Sequence, residues 1–372
     1  MKLMVVASMP ETATANYFVR AFRRSGHELL VCSDVPGPNV NVVTRGLVDA
    51  DAVMRSRSFA ADAVLFFEGG SMRLLPDTRN IRSCPTAWYA IDTHMDFDKH
   101  VRIARLFDAS FVAQKQYVSA LADAGARRAQ WLPLAFATEL APASAPARDV
   151  DIAYVGSENA GMHPQRSALL AVLRRTFDST RFGRATPEEM GRIYASAKLV
   201  FNRSINNDVN MRFFEAMGAG AVLLTDRIVD NGVEDLFEEE RHYLVYRDEA
   251  DLLGLARKLL ADPARLRAIG DAAQACVLAD HTYQHRADQI VAQVRAAEKA
   301  PTPTAVDVFG ACLSLGLTAE ALRVAADALA LTGGGRFQRA LGKGAGHWVR
   351  LASAAVAGAD RLRRAVRSGR HA

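Results

Sequence analysis

The sequence predicts an α/β protein made of two facing, doubly wound, Rossmann-like domains with an α-helical C-terminal extension. Three observations predict it. Short, almost wholly apolar runs alternate with helical patterns, and each run ends in polar residues or glycine. That alternation occurs twice over, and a Pro-, Ala- and Ser-rich break at 141–148 divides the two series. Strands buried on both faces of a parallel sheet read as continuous apolar runs, and helices between them cover the faces.

In the first series the runs at 3–7, 28–32, 63–67, 86–91, 109–113 and 130–132 are strands, and 13–24 is a helix. Gly26 follows that helix and suits a left-handed helix end. In the second series, 151–155, 199–202, 221–225 and 243–246 are strands. Residues 164–177 form a helix with Pro in its first turn, and 187–196 a helix with Thr186 as N-cap. Residues 211–218 form a short helix, and 250–261, 264–278 and 283–298 complete a helical end. The domains are therefore placed at 1–140 and 149–280. A closing helix follows at 281–300 and a basic helical extension at 301–372. Within the extension, 318–331 and 348–367 read as amphipathic helices separated by the glycines 333–335.

The chain has 372 residues, half of them apolar, and a net charge of +5. Residues 1–300 hold 36 basic and 37 acidic residues, whereas 301–372 hold 10 and 4. The body is thus near neutral and is not a nucleic-acid binder on charge grounds; the basicity belongs to the extension. The four cysteines, Cys32, Cys84, Cys276 and Cys312, have neither C-x-x-C spacing nor an accompanying His cluster. Zinc and a disulfide framework are not expected, and a reducing cytoplasm is. No apolar stretch approaches a membrane span, and the opening M-K-L-M-V-V-A-S is read as a buried strand rather than a leader. The first strand lacks G-x-G-x-x-G after it, and neither a P-loop nor G-x-S-x-G occurs, which disfavours a dinucleotide dehydrogenase.

The most informative stretch is 206–220, N-N-D-V-N-M-R-F-F-E-A-M-G-A-G. A polar loop enters a helix whose free amides, near Asn210, Met211 and Arg212, can hold an anion with help from the helix dipole. Arg212 can add a charge-assisted bond to phosphate. Glu215 lies one turn on, on the same face, where a carboxylate can accept two bonds from vicinal ribose hydroxyls. Phosphates at a helix tip with ribose one turn in is the layout of a nucleoside diphosphate. The alternative is a solvated helix start with a Gly cap.

Residues 210–226, N-M-R-F-F-E-A-M-G-A-G-A-V-L-L-T-D, resemble the nucleotide-binding segment of the CgeB-like, spore maturation protein type glycosyltransferases. These are bacterial group-1, family-4-like transferases of GT-B fold. D-I-A-Y-V-G-S at 151–157, G-R-I-Y-A-S-A-K-L-V-F-N at 191–202 and H-T-Y-Q-H-R at 281–286 resemble other parts of their C-terminal domain. D-T-H at 92–94, followed by D-A-S-F-V-A-Q-K at 108–115, resembles their N-terminal half. The resemblance covers about 1–298 and leaves out the extension. It implies a nucleotide-diphosphate sugar as donor substrate, no further cofactor, no metal and retention of configuration. It also implies a glycan, lipid-linked or protein acceptor of the cell envelope. The wider family pairs two Glu with seven residues between them. Glu215 matches the second; the first falls on Asn207, an amide that can bond a sugar hydroxyl but carries no charge.

His94 stands at the carboxyl end of the strand at 86–91. The resemblance puts it near the donor sugar and acceptor, where a neutral imidazole can orient or deprotonate a hydroxyl. Asp92 either positions His94 or is itself the acid–base group; a helix-cap role for Asp92 is the plainer alternative. Gly156 belongs to the first loop of the second domain, and Arg166, in the helix after it, reaches the phosphates or is a solvated first-turn residue. Arg203 and Ser204 line the cleft or form a simple loop, and Glu68-Gly-Gly70 is a turn at a strand end. Of three D-x-D pairs, Asp49/Asp51 is read as a helix start and Asp149/Asp151 as a strand lead-in. Only Asp96/Asp98 lies near the cleft, and no metal is assigned to it. The basic end of the extension, Arg361 to Arg370, either packs as an appendage on the body or a partner, the favoured reading, or meets an anionic membrane surface. A non-catalytic GT-B-like scaffold and a nucleotide-sugar epimerase are the competing functions.

Overall fold

A computed structural model describes residues 1–68, 73–144 and 146–332. The first domain contains β1 (Lys2–Ala7), α1 (Ala15–Arg24), β2 (Glu28–Ser33), β3 (Val42–Val43), β4 (Gly46–Val48), α2 (Ala50–Ser56) and β5 (Ala63–Phe67). It continues through β6 (Leu74–Pro76), β7 (Thr86–Ala90), α3 (Thr93–Ala104), β8 (Ala109–Val112), α4 (Val118–Asp123) and β9 (Ala129–Trp131). Seven strands form one parallel sheet in the order β3-β2-β1-β5-β7-β8-β9, and β4 and β6 pair separately. The order of the strands reverses its progress at β1 while all of them stay parallel, which is the topological switch that opens a crevice at the carboxyl ends of the strands.

The second domain holds β10 (Val150–Val155), α5 (Pro164–Thr176), β11 (Thr180–Gly183), α6 (Pro187–Ser196), β12 (Ala197–Phe201), α7 (Met211–Gly218) and β13 (Val222–Asp226). Then come α8 (Val233–Leu236), β14 (Tyr243–Tyr246), α9 (Glu249–Leu260) and α10 (Pro263–Asp280). Its five parallel strands run β11-β10-β12-β13-β14. The chain ends, as described, with α11 (Tyr283–Arg295), α12 (Ala305–Ser314) and α13 (Thr318–Thr332). Thr186 caps α6 by accepting from the Glu189 N–H, with Glu189 reciprocating, as its spacing predicts. Asp49 likewise accepts from the Ala52 N–H and starts α2.

Several elements escape sequence reasoning. β3, β4 and β6 have two or three residues, and the edge strand β11 is T-R-F-G, too polar to stand out. α3 begins T-H-M-D-F-D-K-H and buries little before Ile103 and Ala104, so it has no apolar stripe; its backbone is also kinked at Asp96. α12 lies in the extension ahead of the two helices expected there, of which α13 is the first. The expected helix at 348–367, the glycines 333–335 and the turn glycines after Glu68 lie outside the described residues.

One apolar core fills the space between α1, α11 and the first sheet. It runs without a break through Leu134 and Phe136 into Phe213, Phe214 and Met217 of the second domain. A second core lies on the other face of the first sheet, and here α12 and α13 contribute Val308, Phe309, Cys312, Val324 and Ala325. A third core lies under α5 and α9 in the second domain. The first thirty residues of the extension are therefore part of the first domain's core. Each large side chain they bury removes roughly 1.5–3 kcal/mol of apolar exposure.

Asp108 fixes the chain where it returns to that face. It is 4% exposed and accepts from the Thr86 amide and hydroxyl at 2.8 and 2.9 Å, from Lys299 Nζ at 2.8 Å and from the Ala300 amide at 2.9 Å. Asp108→Ala strands these donors, and we expect a loss of about 3 kcal/mol. A melting temperature lowered by several degrees checks this. Arg127→Ala, whose guanidinium stands 4.0 Å from the same carboxylate and is partly solvated, should change stability little.

Candidate functional site

The carboxyl ends of both sheets open onto one cavity of about 500 Å³ between the domains. Of the residues selected from sequence, Asp92, His94, Gly156, Arg166, Asn210, Met211, Arg212 and Glu215 all line it. A second space of about 590 Å³ continues from it beneath Asp92, Asp208 and Met211 toward Ser8 and Glu68. A larger groove of about 1120 Å³ runs outside β11. Its walls contain no buried polar atom lacking a partner, whereas the interdomain cavity presents two such atoms, on His94 and Arg166. Buried polar groups want partners, so the interdomain cavity is the candidate site.

Its cationic side is built on Tyr154, at the end of β10. The Arg212 guanidinium lies 4.4 Å from the centre of that ring, and Arg166 lies 5.8 Å from it. Arg212 is tied down by Asn202 Oδ1 at 2.6 Å, the Val155 carbonyl at 2.9 Å and the Tyr194 hydroxyl at 3.3 Å. Arg166 is 6% exposed; its Nη2 donates to the Arg203 carbonyl at 3.2 Å and its Nε has no partner. Burial lowers the Arg166 pKa, and the neighbouring Arg212 charge adds to that. Among the described residues neither guanidinium makes an ion pair. Two neighbouring guanidinium groups, one buried and one half-buried, share one aromatic ring without an ion-paired carboxylate, and their remaining donors suit an anion.

The helix amides play a smaller part than the sequence predicts. Asn210 caps α7, its side chain accepting from the Arg212 N–H at 3.1 Å. That amide is already satisfied, because Asn is a strong N-cap residue. Arg212 itself spends three of its five N–H bonds on the protein, so Arg166 has the freer donor. Gly156 is where the chain must come close. A Cβ there would lie 2.6 Å from the Tyr154 hydroxyl and 2.9 Å from Arg212 Nη2.

Glu215, one turn into α7, is 9% exposed and faces the same cavity. Burial raises its pKa to about 7, with Arg212 pulling the other way. No donor among the described residues bonds its carboxylate, so its acceptor capacity is unspent and directed into the cavity.

Across the cavity, Asp92 occupies the N-cap position of α3, yet its side chain makes no capping bond. The plainer reading of Asp92 as a helix cap is thereby corrected: the carboxylate is left for the cavity. Burial first, and then Glu68, push its pKa up to about 6. Burial lowers the pKa of His94, against the pull of Asp92 and Glu68, so the imidazole is neutral near pH 7.

Asn207 is not in the cavity. It and Asn206 both have left-handed backbones, φ 64° and 49°, which Asn tolerates better than most residues. The Asn207 amide turns to Val229, donating to its carbonyl and accepting from its N–H at 2.8 Å, and donates to Gln116 Oε1 at 3.3 Å. The next residue, Asp208, faces both spaces in its stead, 6% exposed, accepting from Gln114 Nε2 at 3.1 Å. Burial lifts its pKa to about 7. Sequence reasoning missed Asp208 because the paired-carboxylate spacing points one residue earlier; the left-handed N-N turn was the available signal. Arg203 and Ser204 form a loop brace on Asp226 rather than a cavity wall. Asp96 pairs with Lys99, and among the described residues no group of three His, Cys, Asp or Glu is gathered to hold a metal.

The crowding at Gly156 makes a test. Gly156→Ala must displace Tyr154 or Arg212, and overpacking of about 1–3 kcal/mol converts to roughly a 5- to 150-fold loss of nucleoside-diphosphate affinity. Calorimetry reads the loss, with an unchanged far-ultraviolet dichroism spectrum expected beside it.

Residues 140–292 match a family described as glycosyl transferase-like. No curated protein matches the chain in sequence. Similar solved structures include sucrose-phosphate synthase from Thermosynechococcus elongatus, at 13% identity and a TM-score of 0.56, covering 80% of this chain and 99% of that one. Alr3699/HepE of Anabaena, in complex with UDP and glucose, is 13% identical with a TM-score of 0.58, covering 80% and 100%. T4 phage BGT, in complex with its UDP-glucose substrate, is 12% identical with a TM-score of 0.52, again covering 80% and 100%. The chain has the GT-B fold, with a glycosyl transferase-like segment that contains the cationic pair, Glu215 and Asp208.

Proposed function

We propose that this protein is a nucleotide-sugar-dependent glycosyltransferase, bacterial and CgeB-like, acting in the cytoplasm on a glycan, lipid-linked or protein acceptor of the cell envelope. One observation carries the reading: a single interdomain cavity sets a buried and a half-buried guanidinium, neither in an ion pair, beside a buried carboxylate that has no donor. That is the complement of a diphosphate next to a ribose. The glycosyl transferase-like match over the same residues supports it, as do structural neighbours bound to UDP or UDP-glucose.

In this reading Arg166 and Arg212 face the diphosphate and Glu215 accepts from the ribose hydroxyls. Asp208 faces the sugar, in place of the carboxylate that the sequence spacing puts at Asn207. The acceptor enters beside Asp92 and His94. Its oxygen bonds to the anomeric carbon as that carbon's bond to phosphate oxygen breaks. The electron pair leaves with the nucleoside diphosphate, and the acceptor proton goes to His94, which burial keeps neutral. The arginines neutralise the departing diphosphate, the task a metal would otherwise perform. Retention of configuration is part of the proposal and is read from the anomeric proton coupling of the product. A non-catalytic scaffold drew its support from Asn207; with Asp208 in the cavity that support is gone. Conversion of donor without any acceptor would instead identify an epimerase. No described helix is long and apolar enough to cross a membrane. The balance of +6 in residues 301–372 supports contact with an anionic surface or partner.

The Glu215 carboxylate must be ionised to accept two hydroxyl bonds. Its pKa of about 7 means that the charged form dominates above pH 7 and is lost as pH falls through it. Calorimetry with a panel of nucleotide sugars, whose diesterified diphosphates do not titrate in this range, should therefore show affinity highest near pH 8. Below pH 7 it should fall by up to about tenfold per pH unit. Glu215→Gln should bind roughly 10- to 100-fold more weakly at pH 8 and lose most of that pH dependence. Absence of binding by every nucleotide sugar, or unaltered binding by Glu215→Gln, sinks the assignment.

A further inference from the structure

Beneath the turn that carries Asp92 and His94 lies a buried pair that the reaction scheme does not use. Glu68, at the end of β5, is 3% exposed, and His100, on α3, is fully buried. Glu68 Oε2 accepts from the Ile91 N–H at 2.8 Å and the Asp92 N–H at 3.3 Å, and stands 3.0 Å from His100 Nε2. His100 Nδ1 lies 3.0 Å from the Thr93 hydroxyl, and the edge of the imidazole meets Trp88 with ring centres 5.0 Å apart. Three consecutive residues, 91 to 93, are thus held from below by two buried side chains that lie against each other.

We propose that Glu68 and His100 are positioning residues for this site: together they fix the turn bearing Asp92 and His94, and the Glu68 carboxylate sets the charge balance of both. The inference rests on the reading of Asp92 and His94 as the reacting groups. A turn of this kind needs an acceptor for two N–H groups, which a neutral amide oxygen also supplies. A carboxylate buried next to another carboxylate is costly, so its presence calls for a reason beyond shape. Its effect has a definite sign. The charged and titratable groups facing Asp92 are Glu68 from β5, His94 and His100 from α3, and Asp208 from the second domain. Glu68 favours the protonated form of both Asp92 and His94, while His100 opposes it on both. Removing the Glu68 charge therefore moves both groups in one direction, toward proton release at lower pH.

The test is a nuclear magnetic resonance titration of the Asp92 carboxyl and His94 ring in the full chain, compared with the pH profile of kcat/KM. Glu68→Gln keeps size and an acceptor oxygen but removes the charge. Both midpoints should fall by about half a pH unit or more. The acid limb of kcat/KM for the acceptor, read at saturating donor so that the Glu215 titration does not shape it, should move to lower pH by the same amount, while donor KM stays within about twofold. Should Glu68→Gln fail to fold, His100→Gln serves in its place, and the Asp92 midpoint should move the opposite way. Unmoved midpoints in the folded variant overturn the proposal. Midpoints that move in a protein that transfers no sugar leave this device standing and refute the proposed reaction. Turnover whose acid limb ignores Glu68 does the reverse.

Discussion

The site depends on two stretches of chain sewn together at the domain seam. The Phe136 amide donates to the His281 carbonyl, and the Tyr283 amide donates back to the Phe136 carbonyl. Arg286, 3% exposed, closes the stitch by donating to Pro133 O at 2.9 Å, Asp280 O at 3.1 Å and His281 Nδ1 at 3.0 Å. A buried guanidinium must have its donors satisfied, and here backbone carbonyls and one imidazole satisfy them without an opposing charge. The requirement reaches His281, whose pKa burial and Arg286 together lower to about 4, so it is neutral and able to accept. Above the stitch the Phe136 ring lies on α7, so close to Gly218 that a Cβ there would sit 2.4 Å from it. Tyr283 stacks on Tyr17 of α1, ring centres 5.0 Å apart. The helix carrying Glu215 and the helix at the back of the first sheet are thus located against the same short segment.

With the domains held so, charge is arranged across the cavity rather than within either half. The second domain supplies two unpaired cations and two carboxylates of raised pKa; the first supplies a carboxylate of raised pKa and a neutral imidazole. Each is at least partly withdrawn from solvent, which is costly for the charged form. Such costs persist where a ligand repays them. In the proposed reaction a substrate that brings two negative phosphates and a set of hydroxyls meets both needs at once, and the same burial keeps water from the reacting carbon.

What could be read from sequence followed from periodicity. Long apolar runs such as V-V-A at β1 or V-L-L-T at β13 announce themselves, and the longer strands of both sheets and the helix pair around 187–218 are legible in that way. Eight of the nine chosen site residues reach one cavity because strand ends and helix starts are visible as changes of pattern. What escaped depends on side-chain direction. Asn207 and Asp208 are neighbours, and only the left-handed backbone decides which enters the cavity. Glu68 reads as the first residue of a glycine turn, and His100 lies on a helix with no apolar stripe to announce it. Arg212 looked like a phosphate ligand at a helix tip, yet most of its bonds go to Asn202, Val155 and Tyr194. No spacing rule gives the path of a guanidinium once it leaves the backbone.

The extension, which sequence resemblance leaves out, turns out to reach the chemistry from behind. α12 packs on α3, and Val308, Phe309 and Cys312 share a core with Trp88, Ile103 and Ala104. Trp88 is the ring against which His100 rests. α3 has little apolar surface of its own and is kinked near its start, so its placement relies on what covers it. The clip of Lys299 and Ala300 on Asp108 sets where α12 begins, and Asp108 in turn binds Thr86, the first residue of β7. A continuous path of packed and bonded groups therefore leads from residue 299 through α12 and Trp88 to His100 and the Asp92 turn. Loosening α12 would relax the back of α3 and with it the hold on the Asp92 turn, so the core contacts of residues 305–328 help to keep that turn in shape.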